Sequence, residues 1–201
     1  MKATDRKGAK VKVSKTIKIR IGKEIVPVLN LNAERQTFDF DCGAKALQAC
    51  FAWYGEDVRE DRLMRELRTT KKEGTLFDDM IRVSTRHGYR AVSGKMELDT
   101  VKKYVDKGIP VLVMIQAWRD KKNNRLRDWL KDWKDGHWVI VIGYTRDKIV
   151  FNDPSSIKRT WMKEKEFLAR WHDLERSCRY ENCGIVLLGK SKPSTEAEHM
   201  D

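Results

Sequence analysis

Apolar positions in this 201-residue chain follow two periods, and the period changes along its length. Ile17, Ile19 and Ile21 alternate with Lys18 and Arg20, and Val11 and Val13 precede them in the same rhythm. That is the pattern of a half-exposed strand, and its lysines suit a sheet edge. Ala46, Leu47, Cys50, Phe51 and Tyr54 fall three or four apart, which predicts a helix buried on one side. Asp39 and Asp41 stand where its N-cap belongs and Gly55 lies just past its end, so Cys42 falls at the helix start. Further helices are predicted over 57–68, 76–87, 98–107 and 163–171, the third and fourth closed by Gly88 and Gly108. Tyr89–Val92 reads as a short strand, and the almost unbroken apolar run 109–115 as a strand buried on both faces. Runs 138–144 and 149–151, joined by Thr145–Lys148, form a hairpin signal, and 184–188 is a last strand. Helices first and strands later predict an α+β fold.

Hydrophobic residues make up 40% of the chain and include seven tryptophans, enough for a substantial core. Net charge is +12, and most of it sits in two places. Residues 1–23 carry nine Lys/Arg against Asp5, and 119–135 carry seven against four Asp. We therefore divide the chain into a basic arm with an edge strand (1–33), a folded domain (34–190) with a basic, Trp-rich insertion (119–135), and a tail (191–201). The arm's charge favours an acidic partner. The insertion admits nucleic acid, through bases stacked on its tryptophans, although charge runs more often make solvated surface. No run is long and apolar enough for a membrane span, and no apolar segment follows the basic start. The expectation is a soluble, cytoplasmic protein. Four cysteines do not form a disulfide framework at this length. Cys50 reads as core, and Cys178 and Cys183 either pair or stay free. His172, Cys178 and Cys183 lack a fourth ligand and the compact spacing of a zinc site.

A cysteine at a helix start sits against unpaired amide donors and partial positive charge, which favour thiolate over thiol. It needs a base. His199 lies in the tail, and His87 and His172 read as helix-terminal residues. His137 instead opens the hairpin strand Gly136-His137-Trp138-Val139-Ile140-Val141-Ile142-Gly143-Tyr144. If Thr145 pairs with Lys148, Ile140 lies opposite Asp153 and His137 opposite residue 156, so base and acid share one end of the ribbon. A one-residue shift decides whether they share a face. Asp153 would accept the Nδ1 proton of His137 and hold Nε2 toward the thiol. Gln36, six residues before Cys42, would supply a side-chain amide to an oxyanion beside the Cys42 N–H.

Gln36-x5-Cys42-Gly43, the strand from Gly136 to Tyr144, and Asn152-Asp153-Pro154 resemble the signature blocks of the C39 and C39-like cysteine peptidases. Gly74-Thr75, Gly108-Ile109-Pro110-Val111, Glu166-Phe167 and Trp171 continue the resemblance over approximately 34–188. It implies a papain-like fold, with a helical lobe led by the nucleophile helix, an antiparallel sheet lobe, and the site between them. It also implies roles: Gln36 as oxyanion donor, Cys42 as nucleophile, His137 as base and Asp153 as orienting acid, with a peptide substrate and no metal or organic cofactor. The arm and the insertion lie outside the pattern, and no transporter is attached, unlike the best-known members. The same chemistry allows acyl transfer to an amine or deamidation of glutamine, and the fold alone allows a non-catalytic binding module. Cys42 argues against the last.

Overall fold

The computed structural model describes residues 16–118 and 125–189. Residues 1–15 of the basic arm, Val11 and Val13 among them, 119–124 of the insertion and the tail lie outside the described residues. The first elements are a hairpin of strands β1 (Thr16–Ile21) and β2 (Glu24–Leu29). Three helices follow, α1 (Cys42–Trp53), α2 (Glu60–Glu66) and α3 (Phe77–Arg86). Next come β3 (Arg90–Lys95), α4 (Leu98–Asp106), β4 (Val111–Gln116) and the short α5 (Leu126–Trp129). The remainder is β5 (Gly136–Tyr144), β6 (Lys148–Asn152), β7 (Thr160–Lys163), α6 (Glu164–Arg170), β8 (His172–Glu175), β9 (Cys178–Glu181) and β10 (Cys183–Leu188). Among the described residues no helix is long and apolar enough to cross a membrane.

Six strands form one antiparallel sheet in the order β3-β10-β4-β5-β6-β7. Side chains alternate along each strand, so the sheet supports two cores. Leu112, Met114, Trp138, Ile140 and Val150 meet α1, α2, α3 and the β1–β2 hairpin on one face. Val113, Ile115, Val139, Val141 and Phe151 meet α4 and α6 on the other. Buried on both sides, β4 and β5 have apolar sequences almost throughout. The mixed, antiparallel architecture is the α+β class that the order of elements predicts and the papain-like fold that the resemblance implies.

The hairpin register differs from the expected one. Tyr144 pairs with Ile149 and Gly143 with Val150, but a bulge then leaves Ile142 unpaired, so that Val141 pairs with Phe151 and Ile140 with Asn152. Ile140 therefore does not face Asp153, nor His137 residue 156. Counting on from the observed pairs, Asp153 falls opposite Val139, on the face that also carries His137. A regular ladder would have put it on the opposite face. The bulge lies where β2 crosses β5. A Cβ on Gly143 would stand 2.5 Å from a Val28 methyl and 3.2 Å from the Pro27 carbonyl oxygen.

Four further elements depart from the expected ones. The last helix ends at Arg170, so His172 opens β8 instead of closing a helix. The short strands β7, β8 and β9 were not anticipated from the hydrophobic pattern.

Candidate active site

α1 begins at Cys42, with Asp41 at the N-cap position. Asp41 does not cap the helix with its side chain. Its carboxylate turns back to accept the Phe38 N–H at 3.1 and 3.2 Å, which shapes the loop that carries Gln36. Burial pushes the Asp41 carboxyl up to about 6, helped by the nearby Glu60 carboxylate. The first turn of α1 lies tight against Thr75: a Cβ on Gly43 would be 2.5 Å from the Thr75 Cβ. Thr75 is fixed in turn by Trp138, whose indole N–H donates to its carbonyl at 2.8 Å. Gly74, at φ +63°, makes the turn before it. The far end of α1 closes as expected, with Gly55 at φ +80° and the Glu56 N–H returning to the Phe51 carbonyl at 3.0 Å.

His137 is 4% exposed, at the end of β5. Its Nε2 lies 2.9 Å from Asp153 Oδ1. Asp153 sits just after β6 and is held by more than the imidazole. Its Oδ1 also accepts the Ser155 N–H at 2.9 Å and the Ser155 hydroxyl at 2.7 Å, and its Oδ2 accepts the Thr160 hydroxyl at 3.3 Å. Burial works against its charge, but the bonds from His137 and Ser155 outweigh burial and hold the carboxyl at about 2. Since an ionised carboxylate only accepts, Nε2 carries the proton, and Nδ1 is the nitrogen left for the thiol. This reverses the expected use of the two ring nitrogens. A strand-borne imidazole presents whichever nitrogen the chain path directs, and spacing along the sequence does not encode that choice. Burial alone would lower the basicity of His137. The bond to the Asp153 carboxylate and the nearness of Cys42 more than offset this and raise it to about 9.

Cys42, Gln36 and His137 line one open cleft of about 540 Å³, together with Phe38, Trp118, Gly136 and Ser155. Gln36 enters through a loop docked on the segment after β6. Its N–H donates to the Pro154 carbonyl at 2.7 Å, and the Asn152 amide donates to the Asn32 carbonyl at 2.7 Å. Arg159 reaches the Leu31 carbonyl and, at 3.2 Å, Asn152 Oδ1. The three residues Asn152-Asp153-Pro154 thus perform separate tasks: Asn152 ties down the loop, Asp153 holds His137, and Pro154 receives the Gln36 backbone. The Gln36 side chain donates to the Phe38 carbonyl at 2.6 Å, and its Oε1 is buried without a hydrogen-bond partner among the described residues.

A second cavity of about 280 Å³ also touches Cys42 and Gly136, and is walled by Trp133, Asp173, Glu175 and Arg176. Burial raises the Glu175 carboxyl to about 7; it accepts the Phe77 N–H, at the start of α3, at 2.9 and 3.0 Å. The described part of the insertion borders this side. His172 Nε2 lies 2.6 Å from the Asp132 carbonyl, Trp133 packs on His172 at 4.4 Å, and the Arg170 guanidinium lies 4.0 Å over Trp129. Trp129 and Trp133 therefore have separate partners and do not pair with each other. Cys178 and Cys183 are free thiols. No group of three or more His, Cys, Asp or Glu side chains placed to hold a metal ion occurs among the described residues.

Sequence reasoning missed Ser155, Thr160, Asn152 and Trp118. Ser155 follows Asp153 in a turn, where a hydroxyl two residues after an Asp is a recognisable Asx-type signal, whereas Thr160 comes from the start of β7. Trp118 carried none: it touches the edge of the His137 ring at a centroid separation of 5.1 Å, from a backbone at φ +64°.

The chain belongs to the Peptidase_C39 like family, whose model matches residues 26–178. Membership makes it a cysteine peptidase, a hydrolase. Among solved structures it is similar to the peptidase domain of Streptococcus ComA, a bi-functional ABC transporter involved in a quorum sensing pathway. There the TM-score is 0.57 and the identity 22%, over 80% of this chain and 97% of that one. It is also similar to a protein from Bacillus anthracis described as a C39-like peptidase, at TM-score 0.59 and 15% identity over 84% and 100% of the two chains. A double glycine motif protease from an AMS/PCAT transporter, solved in complex with its leader peptide, aligns at TM-score 0.53 and 17% identity over 85% and 100%. Among curated protein sequences there is no match.

Proposed function

We propose that this chain hydrolyses peptide bonds through Cys42, His137 and Asp153, with Gln36 stabilising the oxyanion. The observation that carries the reading is the 2.9 Å bond from the buried His137 to Asp153, with His137 and Cys42 lining the same open cleft. Cys42, its proton already held by the His137 imidazolium, attacks the peptide carbonyl carbon through sulfur, and the carbonyl electrons move to oxygen. The Cys42 N–H at the helix start and the unspent N–H of the Gln36 amide face that charge. When the oxygen's electrons return, the C–N bond breaks and His137 passes its proton to the departing amine. Water then enters, loses a proton to His137 and attacks the thioester, which releases the acid and restores the thiol. Asp153 keeps Nε2 protonated throughout and steadies the imidazolium. The substrate is an extended peptide segment, a reading supported by the leader peptide held in the AMS/PCAT relative.

Digestion of a peptide library by wild type and Cys42→Ala tests this. Wild type releases new amino termini without ammonia, and Cys42→Ala releases none. Cleavage that survives in Cys42→Ala, or ammonia or new amides in place of new termini, overturns it. His137→Ala lowers the rate on the order of 10²–10⁴-fold, the contribution of a positioned acid–base group.

A further inference from the structure

Beside the candidate site is a cavity that the chemistry above does not use. It measures about 170 Å³ and lies on the α6 face of the sheet. Its lining mixes apolar side chains, Ile115, Ala117, Val139, Phe151 and Met162, with the polar Glu166, Arg170, His137 and Asp153. Glu166 and Arg170 are paired at 2.9 Å, so those two bring little net charge.

The cavity meets the larger cleft at two residues, since His137 and Trp118 line both. Of these two spaces, Cys42 borders the cleft and not the cavity, and Asp153 the cavity and not the cleft. That division has a chemical meaning. After attack, the acyl half of a substrate stays bonded to sulfur, while the other half leaves with the proton given by His137. A space that touches the imidazole and not the sulfur lies on the leaving side. Trp118 stands at the junction with its side chain exposed (63%), its ring edge-on to His137 and its backbone in a conformation that costs a non-glycine residue energy. The exposed indole gives a ligand seated there an aromatic surface to rest against.

We propose that this cavity is a specificity pocket for an aromatic side chain on the leaving half of the substrate. The proposal rests on the peptidase reading above. Size and lining set the class of occupant. A dry apolar cavity of about 150 Å³ accepts benzene, and 170 Å³ is comparable. The apolar part of the lining favours a ring over a small polar group, and Trp118 gives that ring an aromatic neighbour.

The test uses pairs of peptides identical up to the bond that wild type cleaves and carrying Phe or Ala directly after it. Wild type is expected to show kcat/KM about tenfold or more higher for the Phe peptide, the discrimination an apolar pocket gives. In Ala117→Leu, whose longer side chain grows into the cavity, the ratio falls toward one. The ratio is internal to each enzyme, so it does not depend on how much of the variant folds. A measurement on wild type alone accompanies it: phenylalanine amide should capture the acyl-enzyme, forming a new amide, more efficiently than alanine amide. Cys42-dependent cleavage with no preference for Phe overturns the pocket and leaves the peptidase reading standing. So does a preference that survives unchanged in Ala117→Leu. Absence of Cys42-dependent cleavage of any peptide overturns both.

Discussion

Asp153 is ionised down to about pH 2, while His137 keeps its proton up to about 9. Over that span the pair is a salt bridge; burial works against both charges, mutual attraction offsets it in both, and Ser155 adds to the Asp153 shift and Cys42 to that of His137. The folded His137 value is raised, so the stabilisation is complete below the ordinary histidine range and disappears as pH rises through about 9. Activity that needs the imidazolium to protonate a leaving amine should fall along the same limb. Replacing Asp153 with Asn keeps an acceptor for the Nε2 proton but removes the charge. We predict that Asp153→Asn retains cleavage while its alkaline limb moves to lower pH, as a pH–rate profile will show. Asp153→Ala loses the acceptor and frees the ring to turn, and should cost about 10²-fold in kcat/KM, the scale of a misplaced catalytic group. An unchanged alkaline limb in Asp153→Asn would mean that the carboxylate does not set the His137 proton.

At the scale of elements, the hairpin bulge decides whether those two side chains can meet. Ile142 drops out of the ladder where β2 crosses at Gly143, and every residue from Phe151 onward then changes face relative to β5. A Cβ at Gly143 would displace either β2 or the bulge. We predict that Gly143→Ala costs about 1–3 kcal/mol, read as a Tm lower by about 2–4 °C per kcal/mol. Its cleavage rate per folded molecule should also fall. Full activity in a destabilised Gly143→Ala would separate the bulge from the alignment of the site.

What the sequence showed and what it hid divide along this line. The long periodic elements were readable: α1 starting at Cys42, the buried strand β4 and the hairpin β5–β6 all lie close to their expected places. The residues Cys42, His137, Asp153 and Gln36 could be picked out by type, position and resemblance. The bulge could not, because a strand buried on both faces has no alternation to mark a slip. β7, β8 and β9 are four residues each, half-exposed and partly charged, and their hydrophobic signal is too short to register. Which nitrogen of His137 meets Asp153 depends on the approach of two separate strands, which no local pattern records.

For the molecule as a whole, the helical layer must hold α1 rigid against the sheet if Cys42 is to stay in register with His137. His87 is a principal clamp. It ends α3, and its two ring nitrogens lie 2.5 Å from Glu56, just beyond α1, and 2.6 Å from Glu66, at the end of α2. Burial opposes its charge, but hydrogen bonds to Glu66 and Glu56 raise its basicity above the ordinary histidine value. With the folded value raised, the clamp contributes fully below about pH 6.5 and is lost as pH rises through the folded value. We predict that His87→Gln lowers stability by about 1.5–3 kcal/mol, the worth of hydrogen bonds to charged groups. The loss should be larger at pH 6 than at pH 9 by thermal denaturation. Equal losses at both pH values would mean that packing, not charge, gives His87 its role.

The whole account depends on Cys42 being the one thiol that its surroundings activate, and the other three make internal controls. Cys50 is buried and its thiol pushed far up by desolvation, burial also raises Cys183, and Cys178 is exposed on β9. The most direct measurement is brief labelling with iodoacetamide at neutral pH, followed by mass spectrometry of each cysteine in wild type and in His137→Ala. The account predicts that Cys42, although buried, reacts first and ahead of the exposed Cys178, and that this lead vanishes without His137. Labelling that follows exposure alone, with Cys178 first and Cys42 indifferent to His137, would contradict it.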